Sequence, residues 1–217
     1  KFGQAFLQQL EAMVLSLGGS VVKIEDQRIY PGEQSFLLLA YEFKRGLEAY
    51  LATATESKKA LAALIEFNQR HSDTVMPHFG QEIFLEAMAV QDQDDLYQAA
   101  KTAIAAVRAQ TLAMLEDNSL DGFIGLTRGP AWRIDYVGGD DAALEDMPRF
   151  GNGHFAAISG LPHITIPAFV IDGFPVGISV IGKHWSDKSL LAYAAALEAK
   201  IVAERGLDTT SAANNER

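Results

Sequence analysis

No cysteine occurs in the 217 residues. Disulfides, thiolate nucleophiles and cysteine-based zinc sites are therefore excluded, and the fold rests on its packed core. Long apolar runs are missing too, and none approaches the roughly 20 residues of a transmembrane helix. Basic residues are scarce, with 18 Lys and Arg against 28 Asp and Glu and a formal charge of -10. A surface that acidic repels phosphate backbones and anionic lipids, so neither nucleic acid nor membrane is expected as a partner. The sequence starts at Lys1, without Met and without the charged-then-apolar pattern of a secretory leader. No signal peptide is expected, a cytoplasmic location follows as the default, and the missing Met hints at a piece of a longer polypeptide. What is present is an ordinary globular composition, 48% hydrophobic and 21% charged. That length suits one large domain or two small ones.

Hydrophobic spacing predicts a helix over residues 2–17, ended by Gly18-Gly19, and then a short strand at Val21–Ile24. Tyr30-Pro31-Gly32 signals a turn before a long helix over 33–51. Thr55 or Ser57 is placed to cap the next helix, whose apolar positions include Leu61, Leu64, Ile65 and Phe67. Residues 71–80 read as a loop, and two further helices follow over 81–90 and 95–115. From Leu120 the character changes. Residues 121–126 have strand length, and a Gly- and Asp-rich excursion then runs to Gly160 with one helix at 154–159. A strand over His163–Ile166 sits between Pro162 and Pro167, and residues 169–181 form a hairpin with its turn at Asp172-Gly173. Ser186 precedes a last helix over 190–204, and the polar tail after Gly206 is expected to fray. The expected organisation is a single α/β domain over 1–217: a mainly helical part at 1–119, a strand-rich part at 120–205 and a tail at 206–217.

Candidate chemistry is sparse. The serine-elbow pattern G-x-S-x-G is absent, and its nearest approach, Ser179, falls inside a strand with its hydroxyl satisfied by neighbours. Ser186 with Lys188 reads as a cap beside a solvated lysine. The five histidines, His71, His78, His154, His163 and His184, form no i, i+4 pair, so no metal site is expected. Asp140, Asp141, Glu145 and Asp146 read as a solvated acidic loop before a cation site, and Gly151-Asn152-Gly153 lacks the context of a phosphate loop. Trp132, Trp185 and Tyr136 are the aromatic candidates for a pocket wall. Trp132 stands out because it follows a strand end, where α/β sites commonly sit. Spacing alone assigns no reaction.

Two segments resemble a known family. Residues 120–132, Leu-Asp-Gly-Phe-Ile-Gly-Leu-Thr-Arg-Gly-Pro-Ala-Trp, resemble a strand and turn of the amidase signature family. Gly160-Leu161-Pro162-His163-Ile164-Thr165-Ile166-Pro167, followed by Asp172-Gly173-Phe174-Pro175-Val176-Gly177 and on to Gly182-Lys183, resembles its C-terminal block. Tyr41–Lys44, Tyr50-Leu51 and Leu64–Asn68 are similar to the family's middle region, so the likeness spans roughly residues 1–205.

The resemblance implies an α/β fold, a mixed sheet with covering helices, forming the C-terminal part of an amide hydrolase. The family works through a Ser–cis-Ser–Lys triad in a Gly/Ser-rich signature, with no metal and no organic cofactor. No Gly-Gly-Ser-Ser-Gly run occurs here, and no residue of this chain matches the triad. The implied partners are a missing N-terminal amidase segment and a small amide substrate in the intact enzyme, and the chain alone is expected to be inactive. Where the family commonly has Pro before the Thr and Asn after it, this chain has Leu126 and Arg128. Arg128 and Trp132 are the candidate substrate-binding residues. Arg128 either faces an anionic substrate group or pairs with surface carboxylates, the second being slightly favoured. A fragment of a larger sheet exposes strand edges, so a homo-oligomer is expected. The alternative is a non-catalytic binding domain that kept an amidase-like fold.

Overall fold

The computed structural model describes residues 2–55, 60–139, 153–171 and 173–213. The elements in order are α1 (Phe2–Ser16), α2 (Gly32–Leu51), α3 (Leu61–Arg70), α4 (Ser72–Val75), α5 (Glu82–Ala89) and α6 (Asp94–Asp117). After these come β1 (Gly122–Leu126), α7 (Gly153–Ser159), β2 (His163–Ile171), β3 (Phe174–Gly182) and α8 (Asp187–Ala213). The fold is of mixed α/β class with a small antiparallel sheet. Two compact units emerge, residues 29–107 and residues 1–28 together with 108–217, the boundary falling within α6. Among the described residues no helix is long and apolar enough to cross a membrane.

The 29–107 unit is helical. Its core is Ala40, Leu61, Ile65 and Ala87, with Phe43 and Phe84 stacked against it at 5.6 Å between ring centroids. The expected cap of α3 is not Thr55. Ala60 occupies the N-cap and has no side-chain acceptor to offer, so the Leu61 N–H donates 3.1 Å to the Glu48 carboxylate of α2. Ser57 lies outside the described residues. Glu48 also takes a 2.8 Å hydrogen bond from Lys44, which together with the Leu61 N–H holds its carboxyl below the usual range against a smaller opposing effect of burial. The stretch 71–80, expected as a loop throughout, contains the single turn of α4.

In the other unit the three strands are ordered β1-β3-β2, each pair antiparallel. Alternation sends Leu126, Ile166, Val176, Ile178 and Val180 to one face, where Leu10 and Met13 of α1 and Leu190, Ala194, Leu197 and Ile201 of α8 bury them. On the opposite face, Phe123 and Ile181 pack with Leu115 of α6, Ala156 of α7 and Leu161.

Three sequence expectations need correction here. Val21–Ile24 is not a strand: its β-branched residues favour extended backbone, but it pairs with none of the three strands, and Lys23 reaches Glu11 of α1 at 2.8 Å instead. Pro167 does not end β2. The strand runs through it because β2 is a sheet edge and the register shifts between Pro167 and Phe169, the two settings in which a strand tolerates proline. That bulge changes the alternation, which is why both Ala168 and Phe169 are buried. Ser186 stands at the start of α8, but its hydroxyl turns back to donate 2.8 Å to the Lys183 carbonyl, leaving only its own carbonyl to accept the Leu190 N–H. The helix extends to Ala213, beyond the expected 204. Asp172 lies outside the described residues, while Gly173 carries the positive φ of +84° that the β2–β3 turn requires.

Candidate functional site

The polar side chains of the sheet lie on the face away from α1 and α8. Ser179 of β3 is paired across to Thr165 of β2 and Gly125 of β1. Two residues along on either side, and therefore on the same face, lie His163 on β2 and Thr127 just past β1. Diagonal neighbours at this spacing are within reach of polar side chains. Ser179 Oγ lies 2.7 Å from His163 Nε2 and donates 2.9 Å to Thr127 Oγ1, so one hydrogen-bonded line crosses all three strands. Ser179 is completely buried, whereas Thr165 is exposed and Thr127 half-buried, leaving this end of the face open.

Gly177 makes room for that line. A Cβ there would lie 2.6 Å from Thr165 Cγ2 and 3.2 Å from Thr127 Oγ1. The Thr127 N–H extends the ladder by one more bond, donating 2.9 Å to the Gly177 carbonyl. Burial holds the His163 imidazole below its ordinary pKa, so the neutral ring is favoured. Ser179 is satisfied by neighbours, as the sequence suggested. A fully buried serine whose hydroxyl is taken up between an imidazole and a threonine hydroxyl is not placed to reach a substrate as a nucleophile.

Arg128 and Trp132 follow directly. Arg128 is exposed, with its guanidinium 4.8 Å from the centroid of the half-buried Trp132 ring. No carboxylate among the described residues pairs with Arg128. Tyr136 is exposed, and Trp185, almost fully exposed at 96%, sits in a left-handed backbone conformation with φ of 62° at the far end of β3. The structure thus brings Arg128 and Trp132 together and leaves Trp185 apart from them. Among the described residues no three His, Asp or Glu side chains are grouped to hold a metal. Asp140, Asp141, Glu145, Asp146 and Gly151-Asn152 lie outside the described residues.

A second feature escaped sequence reasoning. Beside β1, a cleft of about 1140 Å³ is lined by Leu10, Val14, Val22, Phe123, Phe155 and Arg28, among others. Only 8% of the Arg28 side chain is exposed. Its guanidinium makes a two-pronged pair with Asp26 at 2.8 and 2.6 Å and donates 3.0 Å to Thr111. It also lies 4.1 Å from the Phe155 ring centroid. These bonds depress the Asp26 pKa, against a smaller opposing effect of burial. The lining is mixed, with Glu11, Lys23 and Asp121 beside this ion pair and the apolar side chains.

Comparison with known proteins adds the remaining information. The chain matches the native peptide amidase from Stenotrophomonas maltophilia with 32% identity and a TM-score of 0.73, over 92% of this chain and 40% of that one. It is 36% identical over 77 residues to a glutamyl-tRNA(Gln) amidotransferase subunit from Pseudomonas entomophila (strain L48), covering 34% of this chain and 15% of that protein. A bacterial aryl acylamidase of the amidase signature family shares the fold, at 17% identity and a TM-score of 0.61 over 90% of this chain and 39% of that one. No family model matches the chain. The chain therefore spans about two-fifths of the length of the solved relatives and less of the amidotransferase protein. The fold, the identity to peptide amidase and the shared sequence blocks together place this chain in the amidase signature family.

Proposed function

We propose that this chain is the C-terminal part of a hydrolase that cleaves carboxylic amides at the C–N bond. The observation that carries this is the match to peptide amidase over nearly the whole chain at 32% identity. Catalysis rests on a Ser-Ser-Lys set supplied by a segment upstream of Lys1, because this sequence holds no Gly/Ser-rich signature. Arg128 and Trp132 form a wall of the substrate pocket: the ring gives an apolar surface, and the cation has no carboxylate partner among the described residues.

The upstream segment covers the cleft beside β1, a strand whose outer edge no described strand occupies. The chain alone is inactive and, with that surface bare, self-associates. The acidic balance speaks against a nucleic-acid partner and so favours a small-molecule substrate.

The coding DNA upstream of Lys1 tests this reading. An in-frame Lys followed by a Gly/Ser-rich Ser-Ser segment is expected. A start codon close to Lys1 with no such segment would replace the reading with a non-catalytic binding domain.

A further inference from the structure

The hydrogen-bonded line across the sheet has a direction. A hydroxyl carries one proton, and that of Ser179 goes to Thr127 Oγ1 at 2.9 Å. With that direction, the 2.7 Å contact between Ser179 and His163 is made by Nε2–H, the tautomer on which the inference below depends. Because Thr127 Oγ1 accepts from Ser179, the threonine proton points away from Ser179. No acceptor for it occurs among the described residues. Thr127 is half-buried at the open end of the face, one residue before the exposed Arg128. Gly177 lacks the Cβ that would crowd this hydroxyl. A chain N–H to O–H to O–H polarises each member, so the last donor is the strengthened one.

We propose that the Thr127 hydroxyl is a ligand-facing donor, aimed by Ser179 and His163, that binds a carbonyl oxygen of the amide substrate. This rests on the amide-hydrolase reading above and adds to it a residue that contacts substrate. Ser179 and His163 are positioning residues. They touch no substrate and act by taking up the accepting side of Thr127, so that its proton is left for the ligand.

The test uses the complete polypeptide that carries this chain, with N-acetylglycinamide as substrate. Thr127→Val keeps the side-chain shape and removes the hydroxyl. It is expected to raise KM roughly three- to tenfold, the worth of one neutral hydrogen bond, with kcat changed less than about twofold. Thr127→Ser is expected to restore the wild-type KM. Ser179→Ala is expected to raise KM in the wild-type background and to add nothing to Thr127→Val, since both act through one hydroxyl. His163→Gln, which keeps an N–H near the Nε2 position, is expected to retain KM. Nitrogen-15 NMR of the histidine side chains is expected to show the Nε2–H tautomer at His163.

An unchanged KM in Thr127→Val, equal effects of Ser179→Ala with and without the Thr127 hydroxyl, or an Nδ1–H tautomer at His163 overturns the inference. With wild-type turnover intact, any of these leaves the amide-hydrolase reading standing. A complete wild-type protein that neither cleaves nor binds N-acetylglycinamide overturns both.

Discussion

His163 Nε2 on β2 lies 2.7 Å from Ser179 Oγ on β3, although the two residues are not a register pair. Their contact is diagonal: Ser179 is paired with Thr165, and His163 reaches it from two residues away on the same face. Burial keeps this imidazole below its ordinary pKa.

That depression has a consequence for stability. A base whose folded-state pKa is lowered binds its proton more readily in the unfolded chain. The stability it contributes is fully present above the unfolded imidazole value of about 6.5 and is lost as pH falls through the folded value. The urea midpoint is expected to fall between about pH 7.5 and pH 5 in the wild type and to fall less in His163→Gln. An equal loss in both proteins would remove His163 as the source. The depressed carboxyls of Asp26 and Glu48 titrate below this window and do not confuse the reading.

Gly177→Ala tests the crowding at the centre of the sheet. The new Cβ would meet Thr165 Cγ2 at 2.6 Å and Thr127 Oγ1 at 3.2 Å. A loss of about 1–3 kcal/mol is expected by chemical denaturation, with part of it regained in Gly177→Ala/Thr165→Ser, where the first clash is gone. A neutral Gly177→Ala would contradict this packing.

Glu48→Ala tests the cap of α3. It removes the acceptor of the Leu61 N–H together with the partner of Lys44. A cost of about 1 kcal/mol is expected, the usual worth of an N-cap, with Glu48→Gln losing less because its amide oxygen still accepts. Equal losses in the two variants would show that charge and not the cap is what matters.

Arg28→Met tests the clamp in the cleft. The substitution keeps an apolar stem against Phe155 but removes the guanidinium bonds to Asp26 and Thr111, while the backbone N–H of residue 28 still reaches Asp26 at 3.0 Å. A buried pair broken on one side typically costs about 3–5 kcal/mol, and partial exposure of Asp26 lowers the expected loss to about 1–3 kcal/mol. The double variant Arg28→Met/Asp26→Asn is expected to be more stable than Arg28→Met alone. If the double variant is the weaker protein, the ion pair is not what holds the 26–28 segment.

Much of the fold was legible in sequence. The Gly-, Pro- and Cys-free stretch of α6 and the apolar run of β1 stand where spacing put them. The β2–β3 hairpin was legible from its β-branched runs and the glycine at 173. What failed was whatever depends on a distant partner. Val21–Ile24 has strand composition but pairs with none of the described strands, and composition carries no information about neighbours. The Glu48 cap comes from 13 residues before Leu61, on another helix. The diagonal of His163, Ser179 and Thr127 spans 36 residues between Thr127 and His163 and becomes visible only once the register is known. Arg128 and Trp132 were named separately from the sequence, the one as a departure from the family's pattern and the other as an aromatic after a strand end, and their 4.8 Å contact was not foreseen.

The most direct test of the account is ammonia release from primary carboxamides, measured for the complete polypeptide and for the 217-residue chain side by side. The account expects turnover by the complete protein, abolished when the upstream Ser-Ser segment is replaced by alanines, and none by the chain alone. Turnover by the isolated chain, or none by a folded complete protein on any primary amide, would contradict it.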